Sequence, residues 1–160
     1  MDIICFSETW LSPRKRIQLG DLQMEDKVEF RLDRYDVPGF EDESHGGLMM
    51  LVKSEYNPVR VEVRLSCLEA LVVSVHTQTK SLNVVCVYRQ PNGISIETLV
   101  TKFKHILMSL PSFETIIIGD MNIDTLSAKR NTFLQFMSSE GFQQLVEEPT
   151  SDRGTCIDHI

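Results

Sequence analysis

The chain has 160 residues, of which 42% are hydrophobic and 24% charged, and its formal net charge is −7. These values are typical of one globular domain with a real core, and no apolar run approaches the roughly 20 residues that a membrane helix needs. Met1 is followed by Asp2 rather than by a basic signal region, and the acidic balance argues against a broad basic face that coats nucleic acid.

Short apolar runs predict strands in the first half of the chain. The run at 3–6 is continuously apolar, which is typical of a strand that is buried on both faces. The polar segment 13–29 predicts a loop with at most one helical turn. Further strands are predicted at 30–35, 48–52, 60–65, 70–75 and 83–88, and the polar–apolar alternation at 60–65 predicts that this one is half buried.

The hydrophobic period changes in the second half. Apolar residues at helical spacing predict a helix that Ser95 caps and Pro111 stops. Strands are predicted at 115–118 and 155–160, and a second helix at 131–140. Because strands come in runs and only two helices interrupt them, the pattern favours an α+β fold: a sandwich of two mostly antiparallel sheets with helices outside.

The four cysteines, Cys5, Cys67, Cys86 and Cys156, form no C-x-x-C pair, and no histidine stands at zinc-finger spacing. Cys5 and Cys86 lie in predicted strands, where a free cysteine packs as a small hydrophobe. The pattern therefore favours reduced core thiols in an intracellular protein over a disulfide framework.

Polar side chains follow several of the predicted strands. The run at 115–118 gives way to Gly119, where we expect the strand to stop, and then to Asp120 and Asn122. In extended backbone, residues two apart face the same side, so this pair is expected to converge on one ligand. A simple turn is the alternative, because Asp and Asn favour turns.

Carboxylates also follow or end other strands, at Glu8 and Asp158. Acidic groups at such places are costly unless they are paired or bound to a cation. If several of them converge, they form an oxygen-rich pocket. Hard cations such as Mg²⁺ prefer that chemistry and bind through one or two carboxylates plus substrate phosphate.

Four motifs in this order resemble the endonuclease/exonuclease/phosphatase superfamily of metal-dependent phosphodiesterases. They are F-S-E-T-W-L at 6–11, V-Y-R-Q-P-N at 87–92, I-I-G-D-M-N at 117–122 and T-C-I-D-H-I at 155–160. The residues of these motifs are most similar to those of the endonuclease domains of non-LTR retrotransposons. The resemblance implies a deoxyribonuclease I-like four-layer α/β/β/α sandwich, incomplete here, with Mg²⁺ or Mn²⁺ as cofactor and DNA as substrate.

The resemblance also implies a role for each matching residue. Glu8 matches the family's metal-binding glutamate. Asp120 matches the aspartate that orients or deprotonates the attacking water, and Asn122 its partner, which holds water or a phosphoryl oxygen. Tyr88 matches a tyrosine that contacts the scissile phosphate, where its hydroxyl steadies negative charge. Asp158 matches the aspartate that orients a catalytic histidine.

Other polar and aromatic residues have weaker assignments. Asn92 is a candidate substrate-groove residue, with a turn role as its alternative. His159 is expected on the opposite side of its strand from Asp158, in a structural role. Trp10 is interpreted as a packing residue rather than a base-stacking one, and the basic cluster at 13–16 as a solvated loop rather than a phosphate-contacting arm. His45, His76 and His105 match no family motif, and we expect them at the surface.

Two parts of the family's pattern are absent from this sequence: an opening strand that carries an Asn metal ligand, and a closing Ser-Asp-His motif. We therefore predict a single domain over 1–160 that lacks both segments. Without the closing histidine we expect little or no activity, because catalytic groups act as a unit. The loss of an inner strand leaves sheet edges open, which predicts poor solubility.

The resulting functional prediction is a metal-dependent, DNA-nicking endonuclease domain of a mobile element, present as a fragment. The alternative is an inactive remnant that at most binds nucleic acid or a protein. A lesser alternative is a phosphoinositide or sphingolipid phosphodiesterase, because fold alone does not decide substrate. The family implies a nuclear location and no membrane partner.

Overall fold

The computed structural model describes residues 1–40, 45–127 and 131–160, and within them eight strands and two α-helices are seen. The strands are β1 (Ile3–Ser7), β2 (Lys27–Leu32), β3 (Leu48–Lys53), β4 (Val59–Val61), β5 (Glu69–His76), β6 (Ser81–Tyr88), β7 (Glu114–Asp120) and β8 (Asp158–His159). The helices are α1 (Ile96–Ser109) and α2 (Thr132–Ser139), and short 3₁₀ helices span Leu19–Leu22, Arg34–Asp36 and Ser54–Tyr56.

The strands form two sheets, as the sequence predicts. One is three-stranded, in the order β1-β3-β2, and is antiparallel throughout. The other has the order β4-β5-β6-β7-β8, and only its β6–β7 pair is parallel. A parallel pair needs a crossover connection, which α1 supplies between these two strands. The prediction of an α+β sandwich is therefore confirmed.

Two apolar cores hold the layers together. The first lies between the sheets, and its buried members are Leu48, Met50, Val52, Leu71, Val73, Val75, Val84, Cys86 and Tyr88. The second lies between the five-stranded sheet and the α-helices, with Ala70, Val72, Val85 and Val87 facing Leu99, Phe103, Ile106 and Phe133. Because β5 and β6 serve both cores, their sequences are apolar on both faces.

Both predicted helices form, and side chains cap them, at the expected place for α1. The Ser95 hydroxyl accepts a hydrogen bond from the Thr98 N–H at 3.2 Å at the start of α1. The Asn131 side chain accepts one from the Phe133 N–H at 2.9 Å at the start of α2. These caps satisfy backbone donors that a helix start leaves without partners.

Three predicted strands differ in the structure. The one predicted at 30–35 lies three residues earlier, at Lys27–Leu32, because the residues that follow Leu32 form a 3₁₀ turn that buries Arg34. The prediction of a loop over 13–29 is therefore wrong at 27–29. Those predicted at 60–65 and 155–160 shrink to β4 and β8, because only these residues pair with a neighbouring strand. Alternation predicts extended backbone, but a strand also needs a partner for its hydrogen bonds.

The predicted end of a strand at Gly119 is wrong, because β7 continues through Asp120. Gly119 pairs with Val87 of the parallel neighbour, and its φ is +148°. A Cβ at this position would overlap the Val87 carbonyl oxygen. The glycine therefore permits a close approach of two strands, rather than a turn.

The outer edge of β7 is largely open. Strand β8 pairs with it only at Gly119 and Asp120, and Ile116 on the preceding stretch is 41% exposed. A cavity of about 670 Å³ lies beside this edge, lined by residues of β7, α2 and the segment after α2. An open edge of this kind is the feature from which the sequence predicts poor solubility, which stays a prediction.

The four cysteines are free, as expected, and Cys86 and Cys156 are buried. No helix in the described part of the chain is long and apolar enough to cross a membrane.

Candidate active site

The ends of four strands meet at one edge of the sandwich. In the five-stranded sheet, Tyr88 lies opposite Asp120, and Asp120 lies opposite Asp158. Glu8 directly follows β1 of the other sheet, and its Oε1 accepts a short hydrogen bond from the Tyr88 hydroxyl. The structure therefore brings Glu8, Tyr88, Asp120 and Asp158 to a common mouth, with Asn122 next to Asp120.

The Glu8 loop has an unusual backbone. Glu8 and Trp10 both adopt left-handed conformations, with φ of +53° and +52°, which non-glycine residues keep only when their surroundings hold them. Here the Thr9 N–H donates to the Gly47 carbonyl at 3.2 Å, and the Trp10 N–H donates to the Gly46 carbonyl at 2.7 Å. These two bonds fix the direction in which Glu8 leaves its strand.

Tyr88 remains a hydrogen-bond donor at neutral pH. Burial raises the pKa of its hydroxyl, and the hydrogen bond to the Glu8 carboxylate and the charge of that carboxylate raise it further. The Arg34 guanidinium opposes this shift, and it lies over the tyrosine ring at 5.4 Å from the centroid. A protonated hydroxyl held at the site mouth can donate to a phosphoryl oxygen as negative charge develops.

A buried ion pair lies behind Glu8 and Tyr88. Arg34 Nε and Glu69 Oε1 are 2.5 Å apart, and both side chains are almost fully buried. The other Glu69 oxygen accepts a hydrogen bond from the Gly47 N–H at 2.7 Å. At Gly46 a Cβ would overlap the Arg34 guanidinium, so this glycine lets the loop pass close to the pair.

Sequence reasoning assigned no role to this ion pair. A signal was available, because Glu69 directly precedes the mostly apolar run of the strand predicted at 70–75, and a carboxylate that is buried in such a strand needs a partner. Burial raises the pKa of Glu69, and Arg34 and the Gly47 N–H oppose that shift. The pair therefore contacts the Glu8 loop through Gly47 and contacts Tyr88 through Arg34.

Asp120 and Asn122 lie together because of a turn. From the sequence they are expected to converge because residues two apart in a strand face the same side, and this explanation is wrong. Asn122 is left-handed, with φ of +50°, and its N–H donates to Asp120 Oδ1 at 2.9 Å. Its side-chain Nδ2 donates to the Arg89 carbonyl at 2.8 Å, which fixes the orientation of the amide. The turn that was the alternative interpretation is thus the device that places both side chains together.

The site geometry makes Asp120 more basic than an ordinary aspartate. Burial raises its pKa, and the charges of Asp158 and Glu8 raise it further, while the Asn122 N–H lowers it. A carboxylate with a raised pKa is a better proton acceptor for an attacking water.

Arg89 joins the two loops that flank this half of the site, and sequence reasoning missed it. Its Nε and Nη2 donate to the Ile94 carbonyl at 3.0 and 2.8 Å. Its Nη1 donates to the carbonyls of Met121 and Asn122 at 3.2 and 3.4 Å. The available signal was an arginine directly after a buried strand, whose five N–H groups require acceptors.

The remaining candidates are spread around the mouth. Asp158 is exposed, and Asn92 lies in the exposed turn that follows β6. His159 is buried, and its Nε2 lies 2.9 Å from the Ile123 carbonyl oxygen, which it meets as a donor. Burial lowers its pKa, so it is a neutral core residue, which agrees with the structural role expected. Trp10 packs edge-on against His45 at 4.9 Å but is 51% exposed, so packing explains only part of its surface.

The donor chemistry of the mouth fits a hard cation. The charges of Glu8 and Asp158 oppose ionisation of Asp120, and a divalent cation would relieve that repulsion. Among the described residues no group of three or more His, Cys, Asp and Glu side chains is arranged to hold a metal by itself. Carboxylates that supply one or two ligands beside substrate oxygens are the mode that Mg²⁺ favours, and Glu8 and Asp120 are the carboxylates available for it at the mouth.

Comparison with known proteins gives similarity in structure but not in sequence. No protein-family model and no curated protein matches the chain. Among solved structures, the chain is similar to the endonuclease domain of TRAS1, a telomere-specific non-LTR retrotransposon, with a TM-score of 0.63 and 16% identity over 84% of this chain and 64% of that one.

Two further structures give the same result. An endonuclease/exonuclease/phosphatase family protein from Leptotrichia buccalis C-1013-b has a TM-score of 0.63 and 12% identity, over 99% of this chain and 74% of that one. The human Nocturnin catalytic domain has a TM-score of 0.60 and 12% identity, over 99% and 67%. The chain thus spans about two thirds to three quarters of these structures, and at such identities the likeness shows the fold alone.

Proposed function

We propose that this chain, which has the fold of the endonuclease/exonuclease/phosphatase proteins, is a metal-dependent phosphodiesterase domain that nicks DNA. The observation that carries the proposal is the convergence of Glu8 from one sheet with Tyr88 and Asp120 from the other. The similarity to a retrotransposon endonuclease domain over most of the chain supports a mobile-element origin. Because identity is low, that origin and the DNA substrate belong to the proposal.

Each residue at the mouth has a task in hydrolysis. Glu8, together with substrate oxygens, would hold the cation, which when bound neutralises phosphate charge and assists departure of the leaving oxygen. Asp120 accepts a proton from the attacking water, and Asn122 orients that water. The Tyr88 hydroxyl has one hydrogen, which it donates to Glu8 in this structure, so it would turn from Glu8 to donate to a phosphoryl oxygen as charge develops there. Fixed positions for these groups supply much of the rate enhancement.

A second candidate, a domain that binds nucleic acid without efficient hydrolysis, is favoured by one observation. Asp158 stands at the place where the family uses an aspartate to orient a catalytic histidine, but the adjacent His159 is buried and bonded to Ile123. The geometry therefore provides Asp120 as a base and Tyr88 as a donor, but no imidazole at the mouth from the described residues.

The test is nicking of a supercoiled plasmid by the full chain, with and without Mg²⁺. Replacing Asp120 by Asn should lower the nicking rate by about 10²–10⁴-fold, which is the usual contribution of a positioned base. The matched control is Asp26→Asn, because this exposed aspartate lies at the far end of the three-stranded sheet, next to Lys27.

Nicking that Asp120→Asn does not change would contradict the proposed site. Binding of DNA with no metal-dependent nicking would favour the second candidate. Release of phosphate headgroups from phosphoinositide or sphingomyelin vesicles, without cleavage of plasmid, would assign the same site to a lipid substrate.

A further inference from the structure

The loop at 8–16 carries an acidic residue, an aromatic residue and a group of basic residues, in that order. Glu8 lies at the site mouth, Trp10 follows two residues later, and a run of three cations occupies 14–16. Two residues span at most about 7 Å of backbone, so the Trp10 Cα lies within about 7 Å of the Glu8 Cα, on the same loop. The proposed hydrolysis uses only the first of these groups.

Trp10 is exposed and its backbone is fixed. Half of its surface (51%) is open to solvent, although a tryptophan gains more from burial than almost any other residue. Its backbone N–H donates to the Gly46 carbonyl at 2.7 Å, and its φ is +52°. Its ring packs against the His45 ring in a T-shaped contact. The ring is therefore held in place, and it offers an open surface on the loop that carries Glu8.

The basic run is folded back into a tight turn. Ser12 and Lys15 pair in an isolated antiparallel β-bridge, in which the Lys15 N–H donates to the Ser12 carbonyl at 2.8 Å. Arg14, Lys15 and Arg16 are exposed, and no ion pair seen among the described residues includes them. In a chain of net charge −7, three adjacent cations on the loop that also carries Glu8 form a local positive surface.

We propose that the 8–16 loop is a nucleic-acid-contacting arm: a nucleobase next to the scissile phosphate stacks on Trp10, and flanking phosphates bind the basic turn. The proposal rests on the proposed function for the position of the scissile phosphate. It reverses two interpretations made from the sequence, packing for Trp10 and a solvated loop for 13–16.

The arm specifies the class of substrate. One exposed aromatic ring followed by a group of cations fits a single strand, or a duplex with an unstacked base, because bases stack on aromatic side chains while the backbone follows positive charge. A phosphoinositide headgroup has phosphates but no aromatic face. It would engage the cations without engaging the tryptophan.

The chain offers a direct probe, because Trp10 is its single tryptophan. We expect a thymidine oligonucleotide to quench the intrinsic fluorescence of the wild-type chain, in EDTA so that cleavage does not compete. An abasic oligomer of the same length supplies the phosphates without the bases. It should bind weakly and leave the emission unchanged. Equal quenching by both oligomers, or no quenching by either, would overturn the stacking.

Two sets of variants test the arm by fluorescence anisotropy of a labelled oligonucleotide. Trp10→Ala should weaken binding by about 5- to 150-fold, which is the range for loss of one base–aromatic stack, and Trp10→Phe should retain most of the affinity. Arg14→Ala with Lys15→Ala should make the salt dependence shallower by about 0.7 for each phosphate that the arm no longer neutralises.

The control for the double variant is Lys80→Ala with Lys104→Ala, which removes the same charge at the other end of β6 and on α1. Equal effects of the two double variants on binding would show that only the overall charge of the chain matters, and would contradict the proposed arm. If the oligonucleotide quenches the Trp10 fluorescence but the chain does not nick plasmid, the result supports the arm and contradicts the proposed hydrolysis. Nicking that Trp10→Ala and the Arg14–Lys15 variant leave unchanged rejects the arm and keeps the hydrolysis.

Discussion

The two halves of the candidate site are held by different means. Glu8 and Tyr88 are held by side chains, because Arg34 and Glu69 form a buried ion pair that contacts the tyrosine ring and the Gly47 N–H. The half with Asp120 is held by an arginine side chain that bonds to the main chain, because Arg89 donates to carbonyl oxygens of both flanking loops. In each half a buried arginine organises a loop, but only the first half balances its arginine with a carboxylate.

This difference predicts different sensitivities. A buried ion pair fails badly when one partner is removed, because the other charge stays buried without compensation. A guanidinium bonded to carbonyl oxygens has no such charged partner, so its loss frees dipoles rather than a charge. Substitutions in the two halves therefore test the contrast, beginning with the largest expected effect.

Replacing Arg34 by Met should destabilise the fold by about 3–5 kcal/mol, because Glu69 is then left buried without its partner. Urea unfolding followed by circular dichroism measures this. The control is Lys80→Met, which breaks an exposed pair with Glu114, for which we expect about 0–1 kcal/mol. Equal destabilisation by the two variants would mean that the buried pair does not carry this half of the site.

Replacing Tyr88 by Phe should lower nicking by about 10²-fold or more, since loss of one donor to a developing oxyanion costs about that much. Tyr56→Phe is the matched control, because this tyrosine lies in the 3₁₀ helix after β3, at the opposite end of the sandwich. A Tyr88→Phe variant that nicks like wild type would remove the hydroxyl from the mechanism.

Replacing Arg89 by Lys should destabilise the fold by about 1–3 kcal/mol, because one ammonium cannot serve the carbonyls of Ile94, Met121 and Asn122 together. We expect a larger loss in kcat than in KM, since the loop that positions Asp120 and Asn122 loosens. Arg153→Lys, on an exposed turn, is the control. A destabilisation as large as that of Arg34→Met would erase the contrast between the halves.

The smallest effect concerns pH. Because burial and the charges of Asp158 and Glu8 raise the pKa of Asp120, nicking should fall as the pH drops through that raised value and Asp120 takes up a proton. Asp158→Asn removes one negative charge, so the acid limb of kcat/KM should move to lower pH. A limb that moves upward, or stays in place, would show that Asp120 is not the titrating base.

The same raised pKa has a consequence for stability. A folded-state pKa above the unfolded value means that Asp120 favours folding when protonated, and that this contribution is lost as the pH rises through the folded pKa. Asp120→Asn should therefore stabilise the chain at neutral pH relative to wild type while it lowers the nicking rate. Thermal unfolding across pH, with Asp26→Asn alongside, measures the difference.

Local signals in the sequence determined much of the fold. The helical period predicted both helices, and Ser95 was predicted as the cap of the first, because caps and apolar faces act within a few residues of chain. The apolar runs located the strands of both sheets for the same reason. The strand-end motifs likewise located Glu8, Tyr88 and Asp120, since each lies at or directly after the end of its strand.

Only the tertiary structure decided how these residues are held. Glu8 and Tyr88 are 80 positions apart, and Arg34 and Glu69 are 35 apart, so their contacts depend on strand register and on the packing of two sheets. The role of Gly119 depends on the close approach of Val87. A residue's own sequence neighbourhood carries its backbone preference and its apolar period, but the partner that a buried charge finds is set by the whole fold.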